Sequence, residues 1–217
     1  MRAPADDALL LALDTGSPVV SVAVGRSGRV MAQRSVEIAR SAEDLIAMVD
    51  DALAAAGAAP RDLGGVVALR GPGSFTGLRI GLATALGLHD ALAIPAAAVP
   101  THHALAAAAP PEAERVIAAV DALRGEWFVQ PFAAGARPLG PPEIVAAAGL
   151  ERLDAACLIG FGLDRLAFAD GGPMRHTPPP LAPAALALAW HGEIEWSAND
   201  LVHPLYLREP ATTPPKR

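Results

Sequence analysis

The feature that most constrains this chain is a glycine-rich stretch at residues 71–81, which reads Gly-Pro-Gly-Ser-Phe-Thr-Gly-Leu-Arg-Ile-Gly. An apolar run at residues 66–69 precedes it, and an apolar pattern of helical spacing follows it. This order predicts a strand, a tight turn and a helix whose first N–H groups point outward, a geometry suited to an anion. A Walker A loop is excluded, because that loop needs a Lys and the one lysine of the chain is Lys216.

Composition narrows the class of protein. Apolar residues make up 52% of the 217 residues and aromatic residues 4%, so the core is expected to consist mainly of Ala, Val and Leu. A net charge of −6 argues against independent tight binding to nucleic acid. The single cysteine, Cys157, excludes an internal disulfide and is expected to be a buried, inert thiol. No targeting or membrane-spanning run is visible, so a cytoplasmic protein is expected.

The order of elements predicts an α/β protein with mixed sheets. Three strands open the chain, then a helix capped by Ser41, and strands and helices alternate afterwards. The second half repeats this order in a shorter form, beyond a boundary near Pro110-Pro111. Proline-rich stretches at 138–142 and 178–183 predict irregular loops. The strands are expected at 9–13, 20–24, 29–37, 65–70, 95–99, 115–120, 126–132 and 157–160, and the helices at 41–56, 75–92 and 101–108.

The turn after the first strand, Asp14-Thr15-Gly16, has three interpretations. It could be the active loop of an aspartic protease, but that chemistry needs a second carboxylate, which only a homodimer could supply here. It could be a phosphate hairpin, in which an Asp-x-Gly turn joins two antiparallel strands and the Asp supports a metal. It could also be a plain β-turn with an Asp cap and a permissive Gly.

The helix after the glycine-rich turn carries two features of interest. Ser74 is expected to cap it, and Arg79 lies in the first turn, where the helix dipole disfavours a cation. Small residues four apart predict a smooth ridge beside an apolar stripe, suited either to a partner chain or to an internal helix pair with Ala52 and Ala56. The ridge consists of Gly77, Gly81 and Ala85, and the stripe includes Leu78 and Leu82.

The histidines do not have the spacing of metal ligands. None of the six has another histidine four residues away, and His-Glu-x-x-His is absent from the sequence. No metal site is therefore expected, and His102 and His103, which lie near a predicted helix start, are expected to be surface or capping residues.

Four stretches together resemble the TsaB (YeaZ) family. The glycine-rich run at 71–81, with Gly71, Gly73, Ser74, Phe75, Thr76 and Arg79, closely resembles that family's signature. Residues 11–15 resemble its opening strand, residues 120–127 its Asp-Ala-Arg-x-Gly-Glu hairpin, and residues 204–208 its Pro-x-Tyr-x-Arg segment. Two departures stand out: Leu123 replaces the usual Arg, and no His lies near Ser41.

The resemblance implies an actin-like (ASKHA, ribonuclease H-like) fold with two mixed-sheet domains. Residues 1–108 would form the first domain and residues 109–217 a reduced second domain, whose last segment packs back on the first. The family's role is in making threonylcarbamoyladenosine in tRNA, as a non-catalytic scaffold that pairs with and activates the TsaD transferase. TsaE is the implied ATPase partner, the chain alone would be a homodimer, and tRNA would be contacted only indirectly. No nucleotide would bind the chain alone, while ATP or ADP could lie at the seam of the complex.

Two other functions remain open from the residues. An active small-molecule kinase of the same ATPase class would need Asp14 and a second metal-binding carboxylate, for which Asp121 is the candidate. A dimeric aspartic hydrolase would need Asp14 from each of two chains. The scaffold hypothesis assigns no catalytic residue to this chain.

Overall fold

Two β-sheets and the helices packed on them make up the described part of the chain. The computed structural model describes residues 3–37, 42–154, 156–168 and 172–207. The strands within these residues are β1 (Leu9–Asp14), β2 (Val20–Arg26), β3 (Arg29–Val36), β4 (Leu63–Leu69), β5 (Ala96–Val99), β6 (Arg115–Asp121), β7 (Glu126–Ala133), β8 (Arg137–Pro138), β9 (Glu143–Ala146), β10 (Cys157–Ile159) and β11 (Met174–His176). The helices there are α1 (Ala42–Ala55), α2 (Phe75–Leu92), α3 (Thr101–Ala107), α4 (Ala147–Leu150) and α5 (Ala182–Trp190).

The two sheets share one topology. In the first, β3-β2-β1 run antiparallel, and β4 and β5 then continue parallel to β1. In the second, β9-β7-β6 run antiparallel, and β10 and β11 continue parallel to β6, with β8 also paired to β7. Across each sheet, therefore, two antiparallel strand pairings are followed by two parallel ones. The predicted α/β fold with two mixed sheets is confirmed, and the parallel strands at the end of the second sheet are short.

The alternation of side chains along β1 determines which helices pack on each face of the first sheet. Successive side chains of β1 point to opposite faces, so Leu9, Leu11 and Leu13 join α1 and α2, while Leu10 and Ala12 join α3 and α5. Residues of β6 and β10 pack on that second cluster from the other sheet. Helices α3 and α5 therefore lie between the two sheets. Because these positions are filled by Ala, Val and Leu, the sheets and helices can approach closely.

One stretch predicted to be a loop contains a helix in the structure, and two residues singled out from the sequence lie outside the described residues. Helix α5 begins within a stretch that was expected to be an irregular loop, because proline is compatible with the first helical turn, where its missing N–H is not needed. Cys157 is fully buried, as expected. The cap at Ser41 and the residue Arg208 lie outside the described residues. The domain division after residue 108 stays a prediction.

The small-residue ridge of α2 packs inside the chain. Gly81 and Ala85 are buried. A Cβ at Gly77 would overlap the carbonyl oxygen of Thr15, and a Cβ at Gly81 would overlap the hydroxyl of Thr15. The Thr15 hydroxyl donates a 2.7 Å hydrogen bond to the Gly77 carbonyl oxygen. The two glycines thus let the turn after β1 lie directly on the helix.

The prediction of a partner interface at this ridge is therefore wrong. Leu78 and Leu82 are almost fully buried as well, so a second protein cannot reach this face of α2. The alternative of internal packing is closer to the structure, since Leu82 and Ala85 share a cluster with Ala52. What the sequence did not reveal is that a turn, and not a helix, fills the groove beside the glycines. Among the described residues, no helix combines the length and the hydropathy that a membrane crossing requires.

We expect Gly77→Ala to destabilise the protein by about 1–3 kcal/mol, because the new methyl group must displace Thr15. The matched control is Gly87→Ala on the same helix, where no described atom lies within 4 Å of the new Cβ. That change should raise the free energy of unfolding by about 0.5–1 kcal/mol through helix propensity. Urea unfolding of both variants checks this, and equal stability of the two would contradict the packing described here.

Candidate functional site

The turn after β1 holds a fully buried carboxylate. Asp14 is 0% exposed, and its Oδ1 accepts hydrogen bonds of 3.1 Å from the N–H groups of Gly16 and Ser17. The turn joins two antiparallel strands, since Asp14 pairs with Ser21 at the end of the β1–β2 ladder. The backbone therefore has the form expected of a phosphate hairpin. The carboxylate, however, stabilises its own turn and does not face solvent.

Burial raises the pKa of Asp14 from 3.8 to about 6, and hydrogen bonds from Ser17 and Gly16 oppose the shift. The second oxygen, Oδ2, has no hydrogen bond of good geometry among the described residues, although the Ser17 hydroxyl is close enough to lower the pKa. A carboxylate in this position would serve poorly as a metal support, because neither of its oxygens reaches the surface. In the described part of the chain, no three His, Cys, Asp or Glu residues lie together as a metal site would require.

The glycine-rich loop is locked onto the Asp14 turn. The Ser74 N–H donates to the Gly16 carbonyl oxygen at 2.8 Å, and a Cβ at Gly73 would come within 2.6 Å of the same oxygen. Ser74 caps α2, as predicted, by accepting the N–H of Gly77 at 3.2 Å. Gly73 and Gly77 of the glycine-rich stretch are thus explained by close packing against the Asp14 turn, and this packing involves no ligand.

The positive charge of Arg79 is stabilised by contacts with two aromatic residues. Its guanidinium carbon lies 3.8 Å from the centre of the Phe75 ring, and its Nε donates to the Tyr206 hydroxyl at 3.2 Å. The Phe75 and Tyr206 rings stack with centroids 5.0 Å apart. This exposed cluster joins the signature helix to the C-terminal segment. The contacts of Arg79 in this cluster offset the unfavourable interaction between its charge and the positive end of the helix dipole.

The C-terminal segment at 204–207 also holds the start of the loop. The Leu205 N–H donates to the Arg70 carbonyl oxygen at 2.7 Å, and the Leu205 carbonyl oxygen lies where a side chain of Gly71 would be. The Arg70 side chain pairs with Asp200 at 3.1 Å. Gly71 has a φ of 105°, which L-residues with side chains rarely adopt, so this position favours glycine on two grounds.

A cleft of about 830 Å³ opens between the two sheets. Its walls come from the Asp14 turn, the glycine-rich loop, α3, the β6–β7 turn and the C-terminal segment. Thr76 and Gly16 line it, whereas Asp14 does not. Exposed carboxylates of Glu37 and Asp121 also line it, and Oδ1 of Asp121 accepts the N–H of Leu123 at 2.7 Å.

Helix α3 begins as expected near two histidines, but the expected surface or capping role is wrong for His102. His102 is fully buried, and its Nε2 lies 3.1 Å from the Phe128 carbonyl oxygen on β7. Since a carbonyl can only accept, Nε2 carries the proton. Burial lowers the pKa of His102 to about 4, so the ring is neutral. Burial and the nearby Arg70 also lower the pKa of His103, whose ring packs edge-on against Phe132. These two residues tie α3 to the second sheet, a role that a lone sequence cannot reveal.

The pKa of Asp14 predicts an unusual pH dependence of stability. Between pH 3.8 and about 6 the folded chain holds a proton that the unfolded chain has released, so the free energy of unfolding falls as the pH rises, by about 3 kcal/mol in total. Asp14→Asn keeps an acceptor for the Gly16 and Ser17 N–H groups and cannot ionise. We therefore expect the variant to be more stable than the parent at pH 7.5, with the difference shrinking towards pH 4.

Urea unfolding at several pH values measures this difference directly. Comparing variant with parent cancels the contribution of His102, which titrates in the same range. The exposed Asp50 on α1 provides the control. Asp50→Asn should change the free energy of unfolding by no more than about 0.5 kcal/mol at any of these pH values. A variant-to-parent difference that stays constant from pH 4 to pH 7.5 would show that Asp14 titrates normally.

Comparison with known proteins places the chain in a family. The family model described as "TsaD: tRNA N6-adenosine threonylcarbamoyltransferase" matches residues 36–138. The tRNA threonylcarbamoyladenosine biosynthesis protein TsaB of Escherichia coli is 37% identical over 121 residues, which are 55% of this chain and 52% of that protein. The match therefore spans about half the length of this curated relative.

Longer matches cover nearly the whole chain. An uncharacterized protein of Mycobacterium tuberculosis is 33% identical over 209 residues, 94% of each chain. The solved structure of YeaZ from Pseudomonas aeruginosa is 33% identical and superposes with a TM-score of 0.74, covering 92% of this chain and 100% of that one. The shared fold, the 33% identity over 92% of the chain and the signature loop together show that this chain belongs to the TsaB (YeaZ) family.

Proposed function

We propose that this chain is a non-catalytic scaffold subunit in the synthesis of threonylcarbamoyladenosine in tRNA, and that it pairs with and activates a TsaD transferase. The observation that carries the proposal is the similarity to a YeaZ structure over 92% of this chain, together with the 37% identity to TsaB of Escherichia coli over 121 residues. In this proposal the complex works in the cytoplasm, TsaE joins as the ATPase, and tRNA is contacted through the partner. The chain alone forms a homodimer.

The burial of Asp14 supports a scaffold over an enzyme. A kinase of the actin-like class would need this carboxylate at the cleft, and an aspartic hydrolase would need it beside a second carboxylate. In this chain its oxygens are buried under the turn that they stabilise. We therefore propose that the chain alone binds no nucleotide, and that ATP or ADP is held at the seam with the partner.

The outward sides of α1 and α2 are the surface we propose for the partner. Both helices pack on one face of the first sheet, and their other sides face solvent. Ile46 on α1 is 45% exposed, and Ala83 and Gly87 on α2 are exposed and small, which lets another helix approach closely. This surface replaces the buried ridge of Gly77 and Gly81 as the candidate interface.

Light scattering on a sizing column tests the pairing. The chain mixed with TsaD from the same genome should give a 1:1 complex, and Ile46→Arg and Ala83→Arg should each weaken it by at least about tenfold, because a charge would be buried at the contact. The matched control is Ile144→Arg on β9, where an isoleucine of similar exposure, 43%, lies on the second sheet. That variant should bind as the parent does.

Function is read in the same mixtures. With tRNA, a threonylcarbamoyl donor, TsaE and ATP added, mass spectrometry of the tRNA nucleosides should show threonylcarbamoyladenosine only when TsaD and this chain are both present, with less product for the two interface variants. Calorimetry with Mg-ATP should give no heat for the chain alone. ATP turnover by the chain alone that Asp14→Asn abolishes would overturn the scaffold proposal in favour of the kinase. Equal binding by parent and interface variants would exclude the α1–α2 surface.

A further inference from the structure

The cleft between the sheets has a ligand-sized interior for which the scaffold role has no use. Its volume of about 830 Å³ lies within the range of small-molecule sites, about 300–1,000 Å³. The cleft is bordered by the Asp14 turn on one side and the β6–β7 turn on the other, and the C-terminal segment contributes Leu205 and Leu207. Three separate features of its lining point to one class of ligand.

The walls are aromatic and aliphatic. Rings from both halves of the chain line the cleft, and Leu105 and Val120 lie among them. Phe128 is buried in β7, whereas Phe75 and Tyr206 are partly exposed and already stack on each other. The aromatic residues of the lining are Phe75, Phe128, Phe161 and Tyr206. Such walls favour an apolar body, and the faces of aromatic rings attract a positive charge.

The charge of the lining is negative. Glu37 and Asp121 contribute carboxylates, and among the described residues no Lys, Arg or His side chain lines the cleft. The guanidinium of Arg79 on α2 stacks on Phe75 and bonds Tyr206 at the rim of the cleft, away from the segments that carry the two carboxylates. The exposed carboxylates of Glu37 and Asp121 attract an ammonium group and repel a phosphate.

A buried hydroxyl supplies a hydrogen-bonding group. Thr101 at the start of α3 lines the cleft and is 3% exposed, and its Oγ1 has no hydrogen-bond partner within the described part of the chain. Its N–H is occupied by the Gly71 carbonyl oxygen at 2.8 Å. A buried hydroxyl without a partner is costly, so a ligand that bonds it gains more than one that does not.

We propose that the cleft is a binding site for a small organic cation, namely a primary amine on an aromatic or aliphatic body. The ammonium group lies towards Glu37 and Asp121 and donates a hydrogen bond to the Thr101 hydroxyl, and the body packs among the four rings. The site is independent of the pairing with TsaD, because the proposed partner surface lies on the outward sides of α1 and α2.

Three compounds that share a phenylethyl body and differ in charge test the ligand class. Saturation-transfer NMR with the full chain should show binding of phenethylamine, weaker binding of 2-phenylethanol and none of 3-phenylpropanoate. ADP at the same concentration should not bind. Equal or stronger binding of the carboxylate, or no saturation transfer to the amine at millimolar concentration, would overturn the proposal.

Variants locate the site. Glu37→Gln and Asp121→Asn should each weaken the amine by about threefold, as expected for an exposed ion pair, and the Asn retains an acceptor for the Leu123 N–H. Thr101→Val, which keeps the side-chain shape, should weaken the amine and the alcohol alike. Glu143→Gln, an exposed carboxylate on β9 outside the cleft, is the control and should leave binding unchanged. Unchanged amine affinity in the Glu37→Gln, Asp121→Asn double variant, with melting temperature as the check of folding, would refute the assignment.

Discussion

The contact between the Asp14 turn and the glycine-rich loop is the constraint on which the rest of the structure depends. Thr15 occupies the space that Gly77 and Gly81 leave on α2, and Ser74 bonds the Gly16 carbonyl oxygen. Because β1 and β4 are adjacent in the sheet, the loops that follow them must leave the same edge and share one volume. Glycine is the residue that lets both backbones fit there. The signature therefore encodes a close packing between two loops.

That packing also explains how a turn with the backbone form of a phosphate hairpin can be held in place by its own hydrogen bonds. The turn needs Asp14 as an acceptor for two N–H groups, and this structural role requires no ligand. Enclosing the carboxylate raises its pKa and so makes the charged form costly at neutral pH. A carboxylate held by its own turn in this way suits the proposed scaffold role, in which the partner contributes the chemistry.

Local patterns in the sequence predicted much of the fold. The opening three strands, α2 and its Ser74 cap follow from short-range periodicity and capping chemistry, and they are confirmed. The buried side of α2 did not follow, because Gly and Ala suit a helix, a turn or a partner equally well. The burial of His102 and the helix α5 depend on packing between the two sheets, which local sequence does not encode. Likewise, the cleft is formed by segments from both ends of the chain.

Helix α2 connects the two proposed roles. Its first turns contribute Phe75, Gly77 and Ile80 to the cleft, while Ala83 and Gly87 lie on the exposed side proposed for the partner. The helix is a rigid element capped at Ser74 and fixed by Thr15, so a cation in the cleft and a protein on the outer surface contact the same body without contacting each other. Coupling between the two sites would require that binding at one changes the position of α2. The Thr15 contact resists that movement, so the structure favours two sites that act independently.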